Sequence, residues 1–466
     1  VPVLVSPSDR DLNGPSPAAV TPRAVTPAGV RPTQLGWVPN RRRILWPLLL
    51  SALIVLGTWT PPSPLRDAAT RAPVADARLV YSDLYIIFAP LFDLLDTLTI
   101  LTVPQHWAIL GSTIIAFVAV RAWRLAVRRV RFAWWKELLW LVATLAGLVG
   151  LYALAALAPR PMAKLQVADP EVLVLDVHAH TEHSHDGRPG WTAEDVRRWH
   201  ADAGYHVAYI TEHTTYRTVA EAFRGQQAGM AANPARAGDG VVLLGGLEVR
   251  SGGQNVNVLS MMPADSVHFL GGNHIGGGWT LARDGRPPVV VQTVPFDLAR
   301  IAGPSDDSLL TATALEINAG APRGLAQNLR DHEALLRIAD SLDLALVAGS
   351  DNHGWGRTAV GWTLLRLPGW RDLAPAELAQ RIEDAIRDGR SRATRVIERR
   401  TPELEIGPQL LLIVPLMLYE LNAGLSPSQR LSWICWIWGF FHFGPLFAAW
   451  RRGRRILRNA NGSVPA

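Results

Sequence analysis

The run Val172 to Leu175 is wholly apolar and is followed at once by Asp176-Val-His178-Ala-His180-Thr-Glu-His183-Ser-His185-Asp186-Gly187. A short apolar run ending in polar residues reads as a buried strand. On an extended backbone His178 and His180 point to the same side, so both imidazoles can reach one metal ion. Four histidines and three acids stand within these eleven residues, Asp176 to Asp186. A packed core has little use for such a composition; the competing reading is a histidine-rich surface loop. The stretch therefore demands a fold that brings further ligands to the end of this strand.

Composition narrows the setting. The chain has 466 residues, 48% of them hydrophobic, which is enough for a substantial core and more than one modest domain. The formal net charge is +6. Its basic residues gather in Arg41-Arg42-Arg43, in the run from Arg121 to Lys136, and in Arg451-Arg452-Gly-Arg454-Arg455, each beside an apolar segment. That pattern suits the anionic, cytoplasmic face of a membrane and argues against nucleic acid as a partner. The sole cysteine, Cys435, excludes an intramolecular disulfide and reads as a small buried hydrophobe.

In order, residues 1–40 read as a disordered tail rich in Pro, Ala, Thr and Ser. Residues 41–160 read as a membrane region with about three spans, at Ile44 to Thr58, Trp107 to Val120 and Leu138 to Ala158. The apolar stretch Leu79 to Val103 carries Asp83, Asp93 and Asp96, so it reads as interfacial or re-entrant, or as a span whose acids pack on other helices. Residues 408–455 form a C-terminal membrane region, with a span at Trp433 to Trp450 and a shorter run at Leu410 to Tyr419, before a tail at 456–466. With the basic segments on the cytoplasmic side, the region 165–400 falls on the extracytoplasmic side of a plasma-membrane protein.

Residues 165–400 alternate short strand-like runs with helical patterns: Val172–Leu175, Val207–Thr211, Val241–Leu244, Val289–Gln292, Ala314–Ile317 and Leu344–Val347 against Ala193–Ala203, Leu325–Asp340 and Ala376–Asp388. Thr192 with Asp195 reads as a cap for the first helix. The alternation predicts an α/β fold with largely parallel strands, open or closed into a barrel. Polar clusters stand at the strand ends: Glu212-His213, Gly245-Gly-Leu-Glu248, Glu316-Ile-Asn318 and Gly349-Ser-Asp351-Asn-His353. Each alone has an ordinary reading, as a loop histidine, a capping acid or a turn former. With the Asp176 to Asp186 stretch they make five, and five together point to a metal centre.

These clusters resemble the PHP (polymerase and histidinol phosphatase) family of metal-dependent phosphoesterases over about residues 172–355. The resemblance implies a distorted (β/α)7 barrel, here flanked by transmembrane helices, and metal-assisted hydrolysis of a phosphate ester. It implies that His178, His180, Glu248 and Asp351 hold one divalent ion and Asp186, His213 and His353 another. The sequence departs from the family where further histidines are expected. Asn255 lies in the first such stretch and Gln292 stands at the second. Amides are poor ligands beside imidazole and carboxylate, so two ions (zinc, manganese or iron) are expected, not three. Asp176, Glu212, His183, His185, Asn255, Gln292 and Asn318 are then candidates to support ligands or meet substrate, as are His268 and His274 in a glycine-rich loop. No GxSxG elbow or P-loop is present. The expected partners are the lipid bilayer and a phosphate ester; the rival readings are a catalytically reduced metal- or ligand-sensing membrane domain and a transporter component.

Overall fold

The structure is a computed structural model that describes residues 41–58, 63–128, 132–213, 219–251, 254–260, 286, 288–298, 312–403 and 412–443. Both predicted tails, His268, His274 and the Arg451 to Arg455 cluster lie outside the described residues.

The main sheet runs β1 (Leu65–Asp67), β12 (Thr394–Arg399), β11 (Gly361–Arg366), β4 (Val172–Ala179), β5 (Val207–His213), β6 (Val242–Ser251), β7 (Gln254–Leu259), β8 (Val290–Gln292), β9 (Ala314–Ala319), β10 (Ala345–Gly349). A small second sheet pairs β2 (Ala77–Val80) with β3 (Lys164–Val167). The main sheet is mixed: β4, β5 and β6 are parallel, as are β8, β9 and β10, whereas β7, β11, β12 and β1 join antiparallel. It curls strongly, because the chain leaving β10 returns to β4. The amide of Asp351 donates to His178 O (2.8 Å), and that of His180 donates to Asn352 O (3.0 Å). The sheet is thus large, curled and mixed; the alternation suggested largely parallel strands, open or closed into a barrel, and the antiparallel β7, β11, β12 and β1 depart from that pattern, with β1 coming from a stretch assigned by sequence to the membrane region.

Period-two alternation along the strands gives the sheet two apolar faces. Leu173, Leu175, Tyr209, Leu244 and Val347 pack on Leu378, Ile382 and Ile386 of α10 (Pro375–Gly389). Burying each of those three helix side chains contributes about 1.5–3 kcal/mol. Val174, Ala208, Ile210 and Leu243 face the other way, against Val196 and Trp199 of α6 (Ala193–Ala203). That helix begins with the reciprocal Thr192/Asp195 capping box and ends at Gly204, whose φ is 93°. A Cβ there would also lie 2.3 Å from Leu165 O, so only glycine fits. The predicted helix Leu325–Asp340 is two helices, α8 (Pro322–Arg330) and α9 (His332–Ser341), meeting at Asp331. Between β5 and β6 lies α7 (Val219–Ala231).

Two helices, α4 (Val103–Arg128) and α5 (Trp134–Leu157), are long and apolar enough to cross a membrane, and α1 (Arg41–Leu56) is a shorter apolar helix. The stretch from Leu79 is not one helix: β2 gives way to α2 (Asp83–Ile87) and α3 (Ala89–Thr99). Asp83 lies in the first turn of α2, where the helix dipole favours a carboxylate. Asp93 and Asp96 are buried and partnered. The Tyr85 hydroxyl is within 3.0 Å of both. Gln429 Nε2 (2.6 Å) and Trp433 Nε1 (2.9 Å) donate to Asp93. Arg160 Nε and Thr358 Oγ1 donate to Asp96 at 3.1 and 3.0 Å.

Beyond α11 (Ile413–Gly424), a helix over 427–443, α12, begins beside the end of α1, with Arg430 donating to Ile54 O (2.5 Å). Cys435, expected to be buried, is exposed on α12. An apolar run looks the same in sequence whether protein or lipid covers it.

Candidate metal centre

The β4–β5 ladder shifts register between Asp176 and Ala179, a bulge of the kind that re-aims side chains at a strand end. Asp176 lies fully buried beneath it. Its Oδ1 accepts from the amides of His178 (3.0 Å) and Ser350 (2.9 Å), and its Oδ2 pairs with His200 Nε2 (2.8 Å). Asp176 therefore joins β4 to the loop after β10 and takes no ligand position. Asp351 on that loop has φ of 46°, a left-handed backbone that costs a non-glycine residue of order 1 kcal/mol and is held by the surrounding bonds.

Four side chains converge above this base. His178 Nε2 lies 3.0 Å from Glu248 Oε2 and 3.5 Å from Asp351 Oδ1; His180 Nε2 lies 3.3 and 3.4 Å from the same two oxygens. His180 Nε2 is buried and makes no hydrogen bond. A second group adjoins. His353 Nε2 is 3.0 Å from Asp186 Oδ1, and His213 Nε2 is 3.6 Å from Asp186 Oδ2. Glu248 Oε2 is also 3.3 Å from His213 Nδ1, which places it between the two groups.

The other ring nitrogens are anchored. His178 Nδ1 faces Glu316 Oε1 at 3.2 Å. His353 Nδ1 faces Asp351 O at 3.0 Å. His180 Nδ1 is 3.0 Å from Ser184 Oγ, which donates its single proton to Glu212 Oε2 (2.5 Å) and so can only accept from the imidazole. In each case Nδ1 carries a proton, which leaves Nε2 facing the carboxylates as the position that a proton or a metal cation fills. A cation is what such nitrogens accept, and anchored tautomers of this kind are how proteins orient metal-binding histidines. The residues present fit divalent ions.

Electrostatics agree. Burial opposes protonation of His178, but the charges of Asp351, Glu248 and Glu316 outweigh it and raise its pKa well above the usual value. Burial likewise opposes protonation of His353, yet Asp186 and Asp351 push it up to about 9. His180 goes down, through burial and the neighbouring His353. Burial raises Glu248 and Asp351 less than the surrounding imidazoles lower them. Protons on imidazoles balance buried carboxylates here, and a divalent cation would replace them.

The remaining candidates divide. Asn255 Nδ2 donates to Glu248 Oε1 (2.7 Å), so the amide standing in the stretch where the family resemblance expects a histidine occupies that oxygen. Gln292 Nε2 donates to Asn255 O and Thr293 O, both at 3.1 Å. Glu212 also accepts from Thr181 N (3.0 Å) and Thr181 Oγ1, beneath the ligands. His183 is half-buried in the same loop, and exposed His185 has Nδ1 3.7 Å from Asp186 Oδ1. Asn318 points away, donating to Glu398 Oε2 (2.8 Å). The sequence reading named Asn318 and passed over Glu316, two residues earlier in the same cluster; Ser184, beside the histidines, was missed as well. A carboxylate at the end of a buried strand was the available signal for Glu316.

A cavity of about 1010 Å³ opens on His178, Asp186, His213, Glu248, Asp351 and His353. No protein-family model matches the chain, and no curated protein sequence matches it. Among solved structures it is similar to PsfC from Pseudomonas syringae, at 20% identity and a TM-score of 0.34, over 53% of this chain and 98% of that one. It is also similar to a two-domain protein from Bacteroides vulgatus containing a predicted PHP-like metal-dependent phosphoesterase, at 15% identity and a TM-score of 0.30, over 56% and 74% of the two chains. A third similar structure, a candidate metal-dependent phosphoesterase from Bifidobacterium adolescentis, has 17% identity and a TM-score of 0.25, over 46% and 96%.

Proposed function

We propose that the chain is a membrane-anchored, divalent-metal-dependent phosphoesterase of PHP type. The observation that carries this reading is the convergence of His178, His180, Glu248 and Asp351 beside Asp186, His213 and His353, with the Nδ1 protons of His178, His180 and His353 anchored away from the centre. Two divalent ions held there, of zinc, manganese or iron, would neutralise charge on the ester oxygens and acidify the attacking water. The chain's own part is to hold these donors rigid through Glu316, Glu212, Ser184 and Asp176. Exposed His185 stands beside Asp186 at the rim.

The membrane part of the proposal rests on α4 and α5 together with charge. The start of α4, the end of α5, the end of α1 and the start of α12 all lie at the α/β-domain end. Arg41 to Arg43 at the start of α1, Arg121, Arg124 and Arg128 at the end of α4, and Lys136 at the start of α5 stand at the opposite ends of their helices. That separation favours an integral plasma-membrane protein with its α/β domain on the extracytoplasmic side.

The test is turnover of a generic phosphomonoester and phosphodiester by the purified full chain with added manganese or zinc. Hydrolysis that Asp351→Ala lowers at least a thousandfold is the expected result. One observation favours a sensing domain instead: Asn255 occupies the outer oxygen of Glu248. Metal binding without turnover of either ester would establish that alternative.

A further inference from the structure

The cavity that opens on the candidate metal centre has two kinds of wall. One is the histidine and carboxylate cluster. The other is made by the ends of the apolar helices: Val103 and His106 in the first turn of α4, and Tyr152, Ala155 and Ala156 in the last turns of α5.

The two walls are fastened together. Three residues after His353, the Gly356 amide donates to Ala156 O (2.9 Å) at the end of α5. Arg357 Nε donates to Arg160 O (3.1 Å), and Thr358 Oγ1 to Asp96 Oδ1 (3.0 Å). The loop that carries Asp351 and His353 is thereby held against the helix ends.

From the cavity outward, α4 and α5 present apolar surface. Only 6% of each span's most apolar window is buried within the protein. Trp107, next to His106, is 69% exposed, and Trp355, which lines the cavity, is 53% exposed. Indoles with an apolar body and a polar edge collect at the membrane–water interface. A cavity with metal-binding donors at one end, Trp355 on its wall, and at the other end a largely apolar seam crossed by the contact of His106 Nδ1 with the Tyr152 hydroxyl (2.9 Å) has the polarity of a bilayer amphiphile.

We propose that the substrate is a membrane amphiphile, with its phosphate ester at the metal centre and its hydrocarbon chain leaving between the ends of α4 and α5 into the adjacent leaflet. The proposal rests on the phosphoesterase reading for its chemistry and goes beyond it in naming the substrate class. Binding energy from a non-reacting chain is available to the reaction only if the protein contacts that chain. Here the contact is the Val103, Tyr152 and Ala156 seam.

The experiment uses the full chain in phosphatidylcholine nanodiscs with manganese. It measures kcat/KM for straight-chain alkyl phosphates from ethyl to dodecyl, and binding of the matching non-hydrolysable alkyl phosphonates. Ala156→Trp and Val103→Trp obstruct the seam from either helix. A gain of tenfold or more from ethyl to dodecyl phosphate, erased by either obstruction, is the expected result. Turnover with no gain, or a gain that both variants keep because it comes only from partitioning into the bilayer, overturns this proposal and leaves the phosphoesterase. Absence of turnover with length-dependent phosphonate binding that the variants erase sinks the phosphoesterase reading and leaves the amphiphile site. Absence of both overturns both.

Discussion

Glu316 Oε1 lies 3.2 Å from Nδ1 of His178, whose Nε2 is 3.0 Å from Glu248 Oε2. Glu316 is fully buried, and its other oxygen accepts from the Val294 amide (3.0 Å). It therefore fixes the tautomer and direction of a ligand without reaching the centre itself. Removing such a partner weakens metal binding by about 10–100-fold. Glu316→Ala should do so while leaving the other ligands in place, and Glu316→Gln, which keeps an acceptor, should lose less. Metal titration of the purified variants checks this; unchanged affinity in Glu316→Ala contradicts the anchoring role.

Gly349 is held to glycine by the same pair. A Cβ there would lie 2.0 Å from Glu316 Oε1 and 2.5 Å from the His178 Cβ. Gly349→Ala should cost about 1–3 kcal/mol of stability and weaken metal binding as well. Denaturant unfolding and metal titration on the same sample report the two losses together.

Asp96 and Arg160 form an ion pair whose side chains are 1% and 0% exposed, with Arg160 Nη2 to Asp96 Oδ1 at 3.1 Å. Removing one partner leaves a buried charge, which costs about 3–5 kcal/mol. Asp96→Ala should be that destabilising in an unfolding measurement. A loss below about 1 kcal/mol would mean that solvent reaches the pair.

His206 supplies a pH dependence outside the metal centre. Burial, then the charges of Arg371 and Lys164, pushes its pKa down to about 4, and its Nδ1 accepts from the Val174 amide (3.0 Å). Between about pH 6.5 and this lowered value the unfolded chain binds a proton that the folded chain refuses. Stability therefore falls as pH is lowered through that window, by about 2 kcal/mol between pH 7 and pH 5. His206→Asn keeps an acceptor and cannot titrate, so its unfolding midpoint should fall less over the same interval. Equal slopes for the two proteins would show that His206 does not carry the effect.

What the sequence revealed were local patterns. The apolar run before Asp176, the capping box at Thr192 and the acids and histidines at strand ends each declare themselves within a few residues. Long-range pairing does not. β1 has three residues, Leu65–Asp67, and pairs with β12 across more than three hundred residues of chain. No periodicity could have placed it. Asp93 and Asp96 looked costly because their partners Arg160, Gln429 and Trp433 are distant in sequence. The helical period of Leu325–Asp340 continues across the break at Asp331, so pattern alone could not divide it. Within the site, Glu316 and Asn318 look equivalent in sequence. The chain directs Glu316 to His178 and Asn318 to Glu398.

His178, His180, Glu248 and Asp351 on one side and Asp186, His213 and His353 on the other make up the proposed binuclear centre. Elemental mass spectrometry of the purified full chain, beside Asp351→Ala and His353→Ala, tests it most directly. About two divalent ions per chain, with loss in each variant, is the predicted result. Three ions, or none after incubation with manganese and zinc, would contradict it.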